Sequence, residues 1–300
     1  MMKRRDFIKT GALAVAASQI PGKAWASWFS MADYQIKMLS DNLGVFTEQG
    51  GTIAFLKSKS GIVVVDSQFP NPAQHLIDEL KKRYEETPFQ LLINTHHHAD
   101  HSSGNIVFKG LVKHVVAHEN SAKNQIRVSE EAKKAGKESV ILAPDKTFQT
   151  TWNYKLDKEN IKLYYFGAGH TNGDSFVHFE NQNAVHTGDL VFNRRFPYID
   201  KTAGADIQNW IKVLDKAVNT FDAKTQYIFG HALNPQKIIG TQEDIKAYQN
   251  YLEKLLEYVS KEKKAGKSLS EISKVKFISG AEEWQGQGIE RSINAAYQEL

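Results

Sequence analysis

Thr95-His96-His97-His98-Ala99-Asp100-His101 follows the apolar run Leu91-Leu92-Ile93, and this junction organises the reading of the chain. Leu91-Leu92-Ile93 reads as the end of a short buried strand. The segment after it has too few apolar residues to be core. Four imidazoles and a carboxylate therefore fall where a strand ends, and such loops are where sites are built. In an extended segment, side chains two apart point the same way. His96 and His98 can then share one metal ion while His97 faces elsewhere. Asp100 and His101, past the bend, can reach a second ion.

Outward from this loop, short strands and helices alternate. Residues 36–43 and Val45-Phe46 open a strand region, and 52–56 and 61–65 form a hairpin that ends at Asp66. Asn71-Pro72 starts a helix with Leu76, Ile77, Leu80 and Tyr84 on one face, stopped by Thr87-Pro88. Strand 89–93 delivers the histidine loop. Residues 106–108 and 112–117 are further short buried runs, and 119–140 is a solvated helix. Strands are expected at 151–156 and 161–166. The turn Gly167 to Asp174 contains His170, and a hairpin over 175–187 ends at Gly188-Asp189. An irregular loop over 190–206 holds Arg194, Arg195 and Tyr198, all candidates to line a substrate pocket. Helix 207–221 and strand 227–229 follow, ending at Gly230-His231. Helices at 241–262, from Ser268, and at 287–300 complete the chain. Strand, aspartate, helix, strand and histidine occur twice in that order, which suggests packed sheets with helices outside.

Composition narrows the chemistry. The chain has no cysteine, so disulfides and thiolate ligands are excluded and any metal must be held by nitrogen and oxygen. The formal charge of +4 comes from residues 1–26, where Lys3, Arg4, Arg5, Lys9 and Lys23 face a single Asp6. The remainder is neutral, so no nucleic-acid partner is expected. The basic start, the small apolar run 11–20, Pro21 and Ala24-Trp25-Ala26 have the layout of a secretory signal. Arg4-Arg5 followed by Phe7, Ile8 and Lys9 resembles a twin-arginine export signal. The expectation is cleavage after Ala26, a periplasmic product, passage through the twin-arginine machinery and no stable membrane anchor. Residues 27–300 would form one domain, with the helical extension from about 241 included. His75, His97, His114, His118, His178 and His186 are taken as structural, and Trp152, Trp210 and Trp284 as core.

His96-x-His98-x-Asp100-His101, Gly169-His170, Gly188-Asp189 and Gly230-His231 together resemble the metallo-β-lactamase superfamily, over roughly residues 36–235. The resemblance implies an α+β fold, a four-layer αββα sandwich, here with extra C-terminal helices. It implies one metal on His96, His98 and His170, a second on Asp100, His101 and His231, and Asp189 bridging them. Asp66 matches an acid that steadies the histidine loop. Two zinc ions are expected, with iron or manganese as alternatives. A metal-held hydroxide would attack a small-molecule ester, lactone, thioester or amide, with Asp100 as the catalytic residue that orients it. Asp189 stands where some β-lactamases of the family have cysteine and others have no bridging aspartate, and it matches the family's hydrolases instead. The alternatives are a single-iron persulfide dioxygenase, a β-lactamase, or a non-catalytic metal-binding envelope protein. Ala232 after His231 departs from the glycine common there.

Overall fold

Gly61–Val65 (β4) is β-branched from Ile62 onward and buried on both faces, which suits only the middle of a covered sheet. In the computed structural model, which describes residues 34–300, it is the fourth of seven strands. Gln35–Met38 (β1), Leu43–Thr47 (β2), Ile53–Ser58 (β3) and β4 form an antiparallel meander. Phe89–Ile93 (β5), His114–His118 (β6) and Lys146–Phe148 (β7) then continue parallel to β4. A parallel pair needs a crossover, and Pro70–Tyr84 (α1) supplies it between β4 and β5.

The second sheet has six strands. Thr151–Leu156 (β8), Glu159–Tyr164 (β9), Phe176–Phe179 (β10) and Ala184–Asn193 (β11) pair antiparallel. Gln226–Ala232 (β12) runs parallel to β11, and Ile239–Gly240 (β13) closes the edge. Ile207–Thr220 (α4) is the crossover between β11 and β12.

The sheets pack face to face. Val63, Val65, Leu91 and Ile93 of the first share a core with Ile161, Leu163, Val177 and Ile228 of the second. Side chains alternate along a strand, so Ile62 and Val64 turn to the other face, where α1 buries Leu76, Ile77 and Leu80. On the outside of the second sheet, Val185, Tyr227 and Phe229 pack under Trp210, Val213 and Leu214 of α4. Gln242–Lys264 (α5), the short Leu269–Ile272 (α6) and Ile289–Glu299 (α7) join that same core through Tyr248, Leu252, Ile272, Ile289 and Ile293. The result is the αββα sandwich with C-terminal helices. No helix among the described residues is long and apolar enough to cross a membrane.

Three details differ from expectation. Residues 103–108 form a 3-10 turn rather than an extended run. The helix after β6, Glu119–Lys134 (α3), stops before 140. The strand expected to end at Gly188 continues as β11 to Asn193, so the irregular loop begins only at Arg194. Its register with β12 shifts on either side of Gly188, a bulge that lets one strand both pair and present Asp189. Gly188 has φ 51° and lies against Thr95, and a Cβ there would meet Thr95 Oγ1 at 2.5 Å. The proposed export signal, residues 1–26, lies outside the described residues.

Candidate metal centre

The histidine loop is held from below by Asp66, at the end of β4. Its Oδ1 accepts from Thr95 N at 2.8 Å, and its Oδ2 accepts from Thr95 Oγ1 and His101 Nδ1, both at 2.7 Å. Behind the loop, Asn94 and Asn105 exchange amide hydrogen bonds at 3.0 and 2.7 Å. Gln125 Nε2 and Ser67 Oγ donate to the same pair. Buried polar groups satisfied this fully fix a single conformation. His98 is the last extended residue, and Ala99–Ser102 (α2) turns Asp100 and His101 towards the cleft.

These supports also set the tautomers. His170 Nδ1 lies 2.7 Å from Tyr198 O, which can only accept, so Nδ1 carries the proton and Nε2 a lone pair. His98 Nε2 donates to Asp200 Oδ2 at 2.9 Å, leaving the lone pair on Nδ1. Thr95 Oγ1 spends its proton on Asp66 and accepts from His96 Nδ1 at 3.1 Å, so His96 Nε2 is bare as well. The three bare nitrogens converge: His98 Nδ1 lies 3.1 Å from His96 Nε2 and 2.9 Å from His170 Nε2. Asp189 Oδ2 stands 3.9 Å from His96 Nε2 and 3.6 Å from His170 Nε2. Lone pairs so placed repel unless a cation lies between them. A tetrahedral ion with ligands at ~2.0–2.1 Å separates them by roughly 3.3 Å.

A second group adjoins the first. His231 Nε2 lies 3.1 Å from Asp100 Oδ2 and 3.4 Å from His101 Nε2, whose proton is on the Asp66 side. Asp189 serves both groups: Oδ1 is 3.0 Å from His101 Nε2 and Oδ2 is 3.5 Å from His231 Nε2. Asp189 Oδ1 is buried, and its one nearby nitrogen is His101 Nε2; with the His101 proton on the Asp66 side, that oxygen has no donor, an arrangement a cation satisfies. Gly230 makes room for it, because a Cβ there would overlap Asp189 Oδ1. The residues present thus fit a pair of ions held by imidazole and carboxylate.

Among the ligand candidates whose pKa is shifted, all but His101 suit ligation, which needs neutral imidazole and ionised carboxylate. Burial, then His98, pushes His170 down to about 3, and burial with His101 holds His96 well below its ordinary value. Burial would raise Asp100 and Asp189, but the surrounding imidazoles outweigh it. His101 and His231 hold Asp100 at about 2, and His231 with His101 keep Asp189 well below the carboxylate range. His101 runs the other way. Burial lowers it, yet Asp189, Asp66 and Asp100 together hold its pKa well above that of an ordinary histidine.

His96, His98, Asp100, His101, His170, Asp189 and His231 are thus brought together, with Asp66 beneath them. Arg195 and Tyr198 line a cavity of about 330 Å³ over the centre, with Phe192, Phe196, Gln287 and Arg291. Arg194 does not line this cavity but a separate one, with Asn193, Leu233 and Gln285. Its backbone takes φ 59°, and its guanidinium turns away to Glu283 at 2.9 Å and Asp244 at 3.5 Å, over the Trp284 ring. Of the six structural histidines, only His97 shares a donor cluster with a ligand residue: it, His98 and Asp200 place ligand atoms within 4.8 Å of one another. His75 meets Glu48, His114 meets Asp145, and His118 meets Gln149 O. His186 braces the bulge through Thr52 O and Gly188 N. His178 is half-buried with both ring nitrogens enclosed, and His97 Nε2 stands 3.7 Å from Asp200. Trp210 and Trp284 are core, while Trp152 is partly buried between the sheets.

Sequence reasoning missed Asp200, which besides His98 accepts from Thr202 N and Ala203 N. The Asp-x-Thr turn was its only signal, and nothing in it points to His98. It also missed Phe192, whose ring stacks 5.5 Å from that of His231, and the wall built by residues 285–291.

This chain belongs to the metallo-beta-lactamase superfamily, whose family model matches residues 47–231. A metallo-beta-lactamase type 2 of Bacillus sp. (strain 170) is 25% identical over 205 residues, 65% of this chain and 75% of that protein. A metallo-beta-lactamase from Pontibacter korlensis superposes with a TM-score of 0.60 at 20% identity, over 74% of this chain and 99% of that one. A stereoselective inverting sec-alkylsulfatase, Pisa1 from Pseudomonas sp., superposes with a TM-score of 0.71 at 14% identity. It covers 88% of this chain and 50% of that one.

Proposed function

We propose that this protein is an exported binuclear metal-dependent hydrolase, with two zinc ions, acting on an ester, lactone, thioester or amide. The observation that carries the reading is Asp189, whose Oδ2 lies within 3.5–3.9 Å of nitrogens from both donor groups. Ions bound there would supply Lewis acidity, acidifying water and polarising the bond under attack. The chain's own residues do the rest. Asp189 is 4% exposed and its oxygens face nitrogens of both groups, so its role is to hold the two groups together. Asp100 is 31% exposed and opens on the cavity, so its carboxylate can accept a hydrogen bond from an attacking water and orient it. Phe192 and Phe196, both buried, give an apolar wall against which the non-reacting part of a substrate can pack.

The test is metal analysis of protein matured in its own host, followed by a panel of ester, lactone, thioester, phosphodiester and β-lactam substrates. Two zinc equivalents with turnover of an acyl substrate support the reading, and two equivalents with no turnover on any member refute it. A β-lactamase is the second reading, favoured by the names of the sequence relatives. Turnover confined to the β-lactam would select it. Export through the twin-arginine route, with cleavage after Ala26, is part of the proposal. N-terminal sequencing that begins at Ser27 supports it, and an intact Met1 contradicts it.

A further inference from the structure

Three arginines lie near the centre, and they differ in one respect. Arg194 is neutralised by Glu283 and Asp244. Arg195 and Arg291 both line the cavity over the metal centre, and among the described residues neither has a carboxylate within ion-pair distance. The acids that line that cavity, Asp100 and Asp189, lie in its floor among the ligand imidazoles, and none lines its rim. Both are exposed side chains without a carboxylate partner, so together they give the cavity a positive rim that an anion would complement. Arg291 Cζ also lies 6.0 Å from the Tyr198 ring, which borders the apolar wall.

The backbone carrying these groups is held in place. Arg195 forms a bridge with Gln285, and Gln285 N donates to Arg194 O at 3.0 Å. Trp284 Nε1 donates to Phe192 O at 3.1 Å, and Ser292 Oγ, next to Arg291, donates to Pro197 O at 2.9 Å. Glu299 at the far end of α7 pairs with Lys201 and accepts from Ile207 N and Gln208 N, the start of α4. The C-terminal extension is therefore fastened to the site loop along its length, and its arginine is presented by a rigid element.

We propose that Arg195 and Arg291 clamp an oxyanion of the substrate, so that the enzyme acts on molecules that join a carboxylate, sulfate or phosphate to an apolar body. The proposal rests on the hydrolytic reading for what happens to the bound molecule, but not for the binding itself. Guanidinium forks match such groups in two hydrogen bonds each, and Phe192, Phe196 and Tyr198 suit the apolar part.

Calorimetric titration of the zinc-loaded full chain with hexanoate, hexyl sulfate, hexyl phosphate and neutral 1-hexanol tests the clamp. Arg195→Gln and Arg291→Gln should each weaken at least one anion about 10-fold, and the double variant about 100-fold, with 1-hexanol unchanged. The anion that loses most names the headgroup. Arg194→Gln removes the same charge one residue away and should leave every affinity unchanged. Anion affinities that survive in the double variant, or fall equally for 1-hexanol or in Arg194→Gln, overturn the clamp. The same proteins assayed on neutral and anionic esters separate the two claims. Arginine-dependent anion binding without turnover sinks the hydrolase and keeps the clamp. Turnover with a KM for anionic esters unmoved in the double variant sinks the clamp and keeps the hydrolase.

Discussion

Asp66→Asn isolates the part played by one proton. The substitution conserves shape, and asparagine tolerates the left-handed backbone found here, φ 65°. Its Oδ1 must stay on Thr95 N, because an amide nitrogen there would oppose a donor to a donor. Nδ2 then replaces Oδ2 and donates to Thr95 Oγ1 and His101 Nδ1. His101 must accept at Nδ1, so its proton moves to Nε2, the atom that faces Asp189 and His231. The second donor group then offers one nitrogen fewer. The first keeps its three nitrogens, since Thr95 Oγ1 has a lone pair for His96 Nδ1 and another for Nδ2. Removing a partner of this kind costs 10–100-fold in metal affinity, about 1.4–2.7 kcal/mol. Competition of metal-free protein against a chromophoric chelator reads the two binding steps separately. Asp66→Asn should keep the step of the His96, His98 and His170 group and weaken the other. Asp66→Ala, which also frees Thr95 N, should weaken both. Wild-type affinity for two equivalents in Asp66→Asn would refute the tautomer argument. Equal loss at both steps would show that Asp66 acts only by holding the loop.

Other consequences follow from neighbouring contacts. Asp200→Ala removes the acceptor that fixes His98 and should weaken the first ion by 10–100-fold, read in the same titration. Metal uptake should release a proton from His101, whose pKa is raised, so affinity at the second step should fall as pH drops below that pKa. Measuring proton release in weak and strong buffers checks this. Trp210 is fully buried in the helix-covered core, and its Nε1 donates to Leu190 O at 3.0 Å. Trp210→Ala should cost about 3–5 kcal/mol in denaturant unfolding. Burial pushes Asp174 up to about 7, against the hydrogen bonds from Thr171. A raised folded-state pKa contributes stability that is complete below the unfolded value and lost as pH rises through about 7. Asp174→Asn should flatten that decline in melting temperature measured across pH 4 to 8.

Much of the site was legible because its ligands sit at strand ends, where local pattern speaks. The run before His96, the period-two spacing of His96 and His98, and the glycines before His170, Asp189 and His231 are all local features. What stayed hidden depends on long-range packing. Asp200 meets His98 across 102 residues of chain, and a carboxylate in a loop announces no partner. Arg194 and Arg195 are indistinguishable as letters, and a positive φ at Arg194 sends their side chains to different neighbours. β11 was cut short because Gly188-Asp189 reads as a turn, whereas the fold uses it as a bulge and resumes pairing with β12. The helices after 241 gave an apolar stripe but no hint that residues 285–291 wall the site.

The central claim is that one carboxylate, Asp189, joins two ion sites. Anomalous X-ray diffraction from crystals of the zinc-loaded protein tests it most directly. The account requires two peaks ~3.5–4 Å apart, one among His96, His98 and His170, the other among Asp100, His101 and His231, with Asp189 between them. A single peak, or a peak among His97, His98 and Asp200, would contradict it.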